Sequence, residues 1–352
     1  MRAGSSRQLK TVAGTVVAWT AAAALVGLAL RSDAEPFRPA ATLGFGVGLG
    51  VLSAAFELAF VPRVLRRARP VTVLLARTAF YAAAAVGLMA LLVGRLGARE
   101  LGLSFGEVYA HPEVLAFFGS ARFLGIVAVL TLAGFVINFV RQVRLVLGPG
   151  TLTALFFGRY RLPVAEHRAF LFLDLTGSTA TAQRLGPARF NDFKNDFFAD
   201  VAGPILATGG QIYQYVGDEV VVTWRVPREG RLRRSPVETF VLLDAAMGRY
   251  AERYRRLYGE VPTYKAGLHV GPVVTAEVGA LKKDIVHSGD AVNVAARIEG
   301  ACHGLGARLL VSEDALALAP LPEGVVAEDA GAIDLRGRSG AVRLFRVTAP
   351  GR

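Results

Sequence analysis

Four long apolar stretches occupy the first 140 residues, and no other feature limits the folding of this chain as severely. They run roughly over residues 11–30, 41–61, 71–93 and 123–140. Each approaches the roughly 20 residues a helix needs to cross a bilayer. In lipid the backbone must bond to itself, so a stretch of this kind is a helix or nothing. The flanking charges orient the set. Arg2, Arg7 and Lys10 precede the first stretch, Arg63, Arg66, Arg67 and Arg69 follow the second, and Arg141 and Arg144 follow the fourth. The other two loops mix signs, with Asp33 and Glu35 beside Arg31 and Arg38, and Glu100, Glu107 and Glu113 beside Arg95 and Arg99. The excess of Lys and Arg therefore puts both termini in the cytoplasm, a parity that four transmembrane helices satisfy. No small-residue cleavage site follows a short apolar core, which argues against a removable signal peptide.

The net charge of +12 raises the question of nucleic acid. Many of the basic residues flank apolar segments, where they serve as topology signals and contacts to the lipid bilayer, so no nucleic-acid partner is expected. The single cysteine, Cys302, excludes an internal disulfide. Within the second stretch, Gly44, Gly46, Gly48 and Gly50 contain two small-xxx-small pairs. These can bring helices close within one chain or between chains, or reflect the glycine content common in membrane helices. Glu57 and Arg77 are expected to snorkel to the cytoplasmic interface, with mutual pairing as the alternative.

Three regions follow: a membrane domain over 1–145, a linker over 146–164 and a second domain over 165–350. In the linker, Gly148-Pro149-Gly150 ends any helix leaving the membrane. Leu152, Leu155, Phe156 and Phe157 can form a short amphipathic piece, with plain tethering as the alternative. In the second domain, residues 168–175 (RAFLFLDL) read as a buried strand ending in an acid. Thr176, Gly177, Ser178 and Thr179 follow, then a helical pattern to about Leu206. A strand, a small-residue turn and a helix N-terminus make a phosphate site, because free N–H groups and the helix dipole face the anion. Asp174 sits beside that turn, where Mg²⁺ would bridge it to the same phosphates.

Residues 211–216 and 219–224 alternate as a hairpin with Gly217-Asp218 at its tip. Asp218 lies 218 − 174 = 44 residues beyond Asp174, and the two carboxylates converge if the hairpin adjoins the first strand. Mg²⁺ is commonly held by a few carboxylates, water and substrate phosphate. Two carboxylates holding two ions suit in-line displacement at phosphorus. Taken alone, Asp174 reads better as an N-cap-like turn residue and Asp218 as a turn former. Residues 264–270 read as a strand, Gly271-Pro272 as a turn, and 273–278 as a returning strand. Further on, Asn293 and Arg297 share one helix face at i, i+4 spacing. An amide and a guanidinium there can hold a ribose or base and a developing phosphoryl charge, or simply face solvent. The basic run 228–234 reads as a surface loop, and the last strand as residues 342–347.

The runs FLDLTGST, QIYQYVGDEVV, KAGLHVGPVVTAEVG and HSGDAVNVAARIEGA, in that order, resemble the catalytic domain of class III nucleotidyl cyclases, as in bacterial adenylate/guanylate cyclases with membrane-spanning N-terminal halves. The resemblance covers residues 165–348. It implies an α/β domain with a ferredoxin-like βαββαβ core, joined here to an α-helical membrane domain in the cell (inner) membrane. It implies that Asp174 and Asp218, assisted by the Leu175 carbonyl, bind two Mg²⁺ or Mn²⁺ ions. Arg297 would stabilise the transition state and Asn293 would orient the ribose. Arg336 stands where the family usually has a phosphate-binding Lys. It further implies a homodimer, with the Asp pair of each site from one chain and Asn293 and Arg297 from the other. The departures concern the base. Gln214 replaces the Lys of adenine-selective relatives, and Val286 stands where they carry Asp or Thr, with Asp284 and Lys283 nearby as substitutes. ATP, giving cyclic AMP, is the expected substrate. A guanylyl cyclase and a nucleotide-binding receptor without catalysis are the alternatives. The paired-Gly motif of diguanylate cyclases is missing around Asp218.

Overall fold

The computed structural model describes residues 2–29, 39–61, 68–148, 150–227, 230–318, 320–333 and 341–348. The chain divides into two compact units, Met1–Leu147 and Gly148–Arg352. The mixed-charge loop at Arg31–Arg38, the basic residues Arg63, Arg66 and Arg67, and the start of the basic loop at Arg228 lie outside the described residues.

The first unit is helical: α1 (Arg2–Ala29), α2 (Pro39–Ala59), α3 (Pro70–Leu101), a 3₁₀ turn (Glu107–Ala110), α4 (Pro112–Phe118) and α5 (Ala121–Leu147). Helices α2, α3 and α5 are long and apolar enough to cross a membrane, and α1 contributes the shorter apolar piece Val12–Leu28. Three of the four stretches read from the sequence thus form helices of membrane-crossing length, and the first forms the shorter apolar piece. The glycines of α2 have a definite use. A Cβ on Gly46 would lie 2.6 Å from Thr20 Cα, and one on Gly50 would lie 2.6 Å from Val16 Cα. This small-xxx-small pair therefore lets α1 and α2 touch backbone to backbone within one chain.

Glu57 and Arg77 do not snorkel. They are 8% and 7% exposed and face each other inside the bundle. Arg77 Nη2 donates to Glu57 Oε2 at 2.9 Å, and the Tyr81 hydroxyl donates to Oε1 at 2.9 Å. Arg141 Nη1 from α5 approaches Oε2 at 3.5 Å. Arg77 and Tyr81 reach one carboxylate because i, i+4 positions share a helix face. A carboxylate turned into an apolar bundle is tolerable only with such partners. Glu57→Gln leaves Arg77 buried and unpaired. It is expected to lower the stability of the full-length protein in detergent by about 3 kcal/mol. Adding Arg77→Met should recover much of that loss, and a double variant no more stable than Glu57→Gln would refute the pairing argument.

The second unit opens with α6 (Thr151–Phe156), leaving Phe156 and Phe157 exposed. Its sheet runs β2-β3-β1-β4-β6-β8-β7, with β5 paired to β4. The strands are β1 (Val164–Leu175), β2 (Gln211–Val216), β3 (Glu219–Arg225), β4 (Tyr264–Val278), β5 (Asp284–Ser288), β6 (Leu309–Ser312), β7 (Val326–Ile333) and β8 (Val342–Thr348). Strands β4, β1, β3 and β2 are antiparallel neighbours. With α8 (Pro187–Ala207) and α9 (Val237–Tyr258) on one face, they form the ferredoxin-like core. Leu171 and Leu173 of β1 pack toward α8 and α9, while Phe170 and Phe172 pack on the other face against Ala291 and Ala295 of α10 (Asp290–Gly304). Burial on both faces explains the unbroken apolar run of β1.

Two expectations fail here. The helical pattern after Thr176 is two helices, α7 (Ser178–Leu185) and α8, because Gly186 at φ 76° and Pro187 interrupt it. Gly271-Pro272 is no turn: β4 continues through it, with Gly271 opposite Arg168 and Pro272 opposite His167. Pro272 falls between the stretch of β4 that pairs β6 (266–268) and the stretch that pairs β5 (274–278), so that edge asks no N–H of it.

Candidate active site

The register of the sheet builds the site. Asp174, at the end of β1, is directly opposite Glu219 on β3 and Lys265 on β4. Asp218 precedes Glu219 at the hairpin tip, where Gly217 takes φ 61°. From α10, Glu299 reaches Lys265, with Oε1 3.0 Å from Nζ. Four carboxylates thus share the neighbourhood of one lysine. Burial pushes the Asp174 carboxyl up to about 6, and the charges of Asp218 and Glu299 push the same way against Lys265. Burial likewise pushes Glu219 up to about 7, with Glu299, Asp174 and Asp218 adding to it. Lys265, Glu219 and Glu299 escaped the sequence reading. Once β4 is placed beside β1, the alternation of KAGLH would have pointed to Lys265.

A divalent cation fits this donor set, because the negative charge exceeds the cation supply and a metal would offset it. Among the described residues no cluster of three or more His, Cys, Asp and Glu side chains forms a ready metal cage. Two carboxylates open to substrate and water are an arrangement suited to Mg²⁺. Leu175 is buried and pairs with Tyr264, placing its backbone next to Asp174.

The turn after β1 is as expected. The Thr176 N–H donates to the Thr263 carbonyl at 2.8 Å, and Gly177 at φ 72° begins α7 with no side chain capping it. Thr176, Gly177 and Thr179 are exposed and Ser178 is half-buried. The α7 amides are thus open to an anion beside the acids.

Asn293 and Arg297 share one face of α10. Both are exposed on α10, opposite the buried row Val294, Ala295 and Ile298. The helix is seated tightly, since a Cβ on Gly267 of β4 would lie 2.2 Å from Glu299 N. Gln214 is exposed on β2. Asp284 heads β5, where its Oδ1 accepts from Ile285 N at 3.0 Å and Oδ2 is 3.6 Å from Lys282 Nζ. Lys283 pairs with Glu277. Arg336 lies outside the described residues.

A second polar cluster lies at the other end of β1. Arg168 Nε donates to Glu166 Oε2 at 2.8 Å, Arg225 Nε is 3.0 Å from Oε1, and the Tyr160 hydroxyl donates to Oε1 at 3.1 Å. Thr275 Oγ1 donates to Glu166 Oε2 at 3.1 Å and lies 2.9 Å from His287 Nδ1. Burial raises the Glu166 pKa, but its hydrogen bond to Arg168 and the surrounding cations hold it below the usual carboxylate range. Burial, helped by Arg168, pushes His287 down to about 4. The folded state therefore holds a neutral ring, while the unfolded chain takes up a proton below its ordinary value of about 6.5. This contribution to stability is present above pH ~6.5 and is lost as pH falls toward 4. Denaturant unfolding of the full-length protein in detergent should lose about 2 kcal/mol more between pH 7 and 5 than His287→Asn does. Equal slopes would show that His287 does not titrate this way.

Residues 164–348 match the family described as the adenylate and guanylate cyclase catalytic domain. Adenylate cyclase 2 of Rhizobium meliloti (strain 1021) is 40% identical over 216 residues, 60% of this chain and 58% of the relative. An adenylate cyclase of Anabaena cylindrica is 26% identical over 185 residues, 51% of this chain and 36% of that one. The chain thus spans less than two thirds of either relative. A solved bacterial light-regulated adenylyl cyclase superposes with a TM-score of 0.52 at 20% identity, covering 65% of this chain and 66% of that one, a likeness of fold. With the family match extending over more than half of its length, this chain belongs to the adenylate and guanylate cyclase family.

Proposed function

We propose that the protein is a membrane-anchored adenylyl cyclase that converts ATP to cyclic AMP and pyrophosphate. The observation that carries this reading is the crowded carboxylate site at the end of β1, with Asp174 and Asp218 beside the uncapped start of α7. In this reading Asp174, Asp218 and the Leu175 carbonyl hold two divalent cations, Mg²⁺ or Mn²⁺. When bound, they would acidify the substrate 3′-OH and offset the triphosphate charge. The amides of Gly177, Ser178 and Thr179 receive phosphate oxygens, while the Thr176 N–H stays on the Thr263 carbonyl and holds the turn in place. The 3′-OH gives up its proton to water, its oxygen attacks the α-phosphorus, one P–O bond forms, and the bond to pyrophosphate breaks. Arg297 lies against the charge that grows on the α-phosphoryl group, Asn293 orients the ribose, and Arg336 receives the pyrophosphate. Gln214 and Asp284 lie on the base side. The exposure of Asn293 and Arg297 on α10 supports a homodimer in which they serve the partner's acids. The three long apolar helices support a bilayer anchor at 1–145, and the Lys and Arg residues that flank the apolar stretches favour the cytoplasmic side for the linker 146–164 and the catalytic domain 165–350.

The purified full-length protein should form cyclic AMP from ATP with Mg²⁺ or Mn²⁺. Asp218→Ala and Arg297→Ala should each lower kcat by at least about 100-fold. Mixing these two inactive variants restores about a quarter of wild-type activity, since half the dimers are mixed and each has one intact site of two. No recovery in subunits shown to exchange would refute the shared site. Cyclic GMP as the main product would overturn the choice of ATP, and no cyclic nucleotide at all would overturn the enzyme reading.

A further inference from the structure

The base-reading end of the site lacks the residues that usually make the choice. Gln214 presents both a donor and an acceptor, so its amide can turn to suit adenine or guanine. Val286 offers no hydrogen bond. With Asp284 two residues away on the same strand, discrimination then depends on how firmly these two strands are held relative to each other.

The two strands concerned are not paired with each other in the sheet. Strand β2 pairs β3 at one edge, and β5 pairs β4. They nevertheless meet at one point. The ladder between β2 and β3 shifts register between Ile212 and Gln214, so Tyr213 is the extra residue of a β-bulge. A bulge re-aims its side chain, and bulges are frequent next to active sites. Tyr213 packs on the face of the sheet that carries Phe170, Val221 and Ala291. There the backbone N–H of His287 donates to the Tyr213 hydroxyl at 3.3 Å, and the two rings lie 4.7 Å apart, centroid to centroid. Behind the imidazole stand Phe170, with ring centroids 5.7 Å apart, and Thr275, bonded to Nδ1. Tyr213 adjoins Gln214 in the chain, and His287 adjoins Val286.

We infer that Tyr213 and His287 are a positioning pair for purine selection: their contact fixes the distance between Gln214 and Val286, and with it the shape offered to the base. This rests on the cyclase reading above. Neither residue touches the substrate; each acts through its neighbour. The imidazole is the fixed member, held by Phe170 and Thr275, and the phenol is the adjustable one at a strand edge. Loosening the pair should therefore blur the choice between purines more than it slows the chemistry.

The test uses full-length protein in detergent, comparing wild type, Tyr213→Phe and Tyr213→Ala. Tyr213→Phe keeps the ring and removes the acceptor, so the ATP-to-GTP ratio of kcat/KM should fall about fivefold, the worth of one hydrogen bond. The change should appear in KM, with kcat for ATP and the thermal midpoint little altered. Tyr213→Ala should reduce the ratio further. A ratio unchanged in both variants, or a loss equal for both nucleotides, overturns the inference and leaves Tyr213 a packing residue. If the wild type makes no cyclic nucleotide, the function proposed above is overturned. The pair is then decided separately, by displacement of a fluorescent nucleotide with 3′-deoxy-ATP and 3′-deoxy-GTP. An affinity ratio that falls in Tyr213→Phe supports it, and one that does not overturns it.

Discussion

Like charges side by side are the constraint on which the catalytic unit is built. Glu219 and Asp174 stand directly opposite on adjacent strands, with Asp218 next to one and Glu299 above them on α10. Opposed carboxylates on neighbouring strands repel, and burial magnifies the repulsion. Lys265, opposite Asp174 on its other side, offsets part of it. The rest is endured because the sheet beneath is held elsewhere. Phe170, Leu171 and Leu173 are almost fully buried, and α10 rests on the bare backbone at Gly267. The register is fixed by apolar packing, and the acids are carried along with it. A site that would be relieved by cations is therefore an expected consequence of this register.

The membrane unit answers a different problem. Lipid is as apolar as leucine, so burial of apolar side chains gives helices little reason to associate. Close backbone approach and polar contacts take that place. Gly46 and Gly50 supply the first between α1 and α2. Glu57 supplies the second, with partners on α3 and α5. One carboxylate thus collects three helices. Trp19 and Tyr81, packed edge to face at 5.5 Å, add α1 to the same core.

The sequence was most informative where one strand or helix carries its own pattern. The apolar run of β1, the hairpin around Gly217-Asp218 and the i, i+4 face of Asn293 and Arg297 are local, and they stand where expected. The misreadings involve partners. Pro272 looks like a turn until β1 is seen running straight alongside it. Glu57 and Arg77 look like interfacial residues until three helices are brought together. Lys265 and Glu299 lie within the quoted runs but have no role of their own in them, and only the register and the seat of α10 bring them to Asp174. A break such as Gly186-Pro187 was local and readable, but the helical period on both sides concealed it.

The Glu166 cluster joins the end of the linker to the strand that leads into α10. Tyr160 closes the segment after α6, and it is tied twice: its hydroxyl to Glu166 and its carbonyl to Glu277 N at 2.8 Å. Glu166 in turn holds Arg168 and Thr275, and Thr275 holds His287, two residues before Gly289 and the start of α10. Each link is a hydrogen bond to a buried group, and breaking one leaves a polar atom without water to replace its partner. Displacing Tyr160 alone would leave the carboxylate of Glu166 short of a donor while two arginines still draw on it. The hydrogen-bonded chain from Tyr160 to His287 ends beside the helix that carries Asn293 and Arg297.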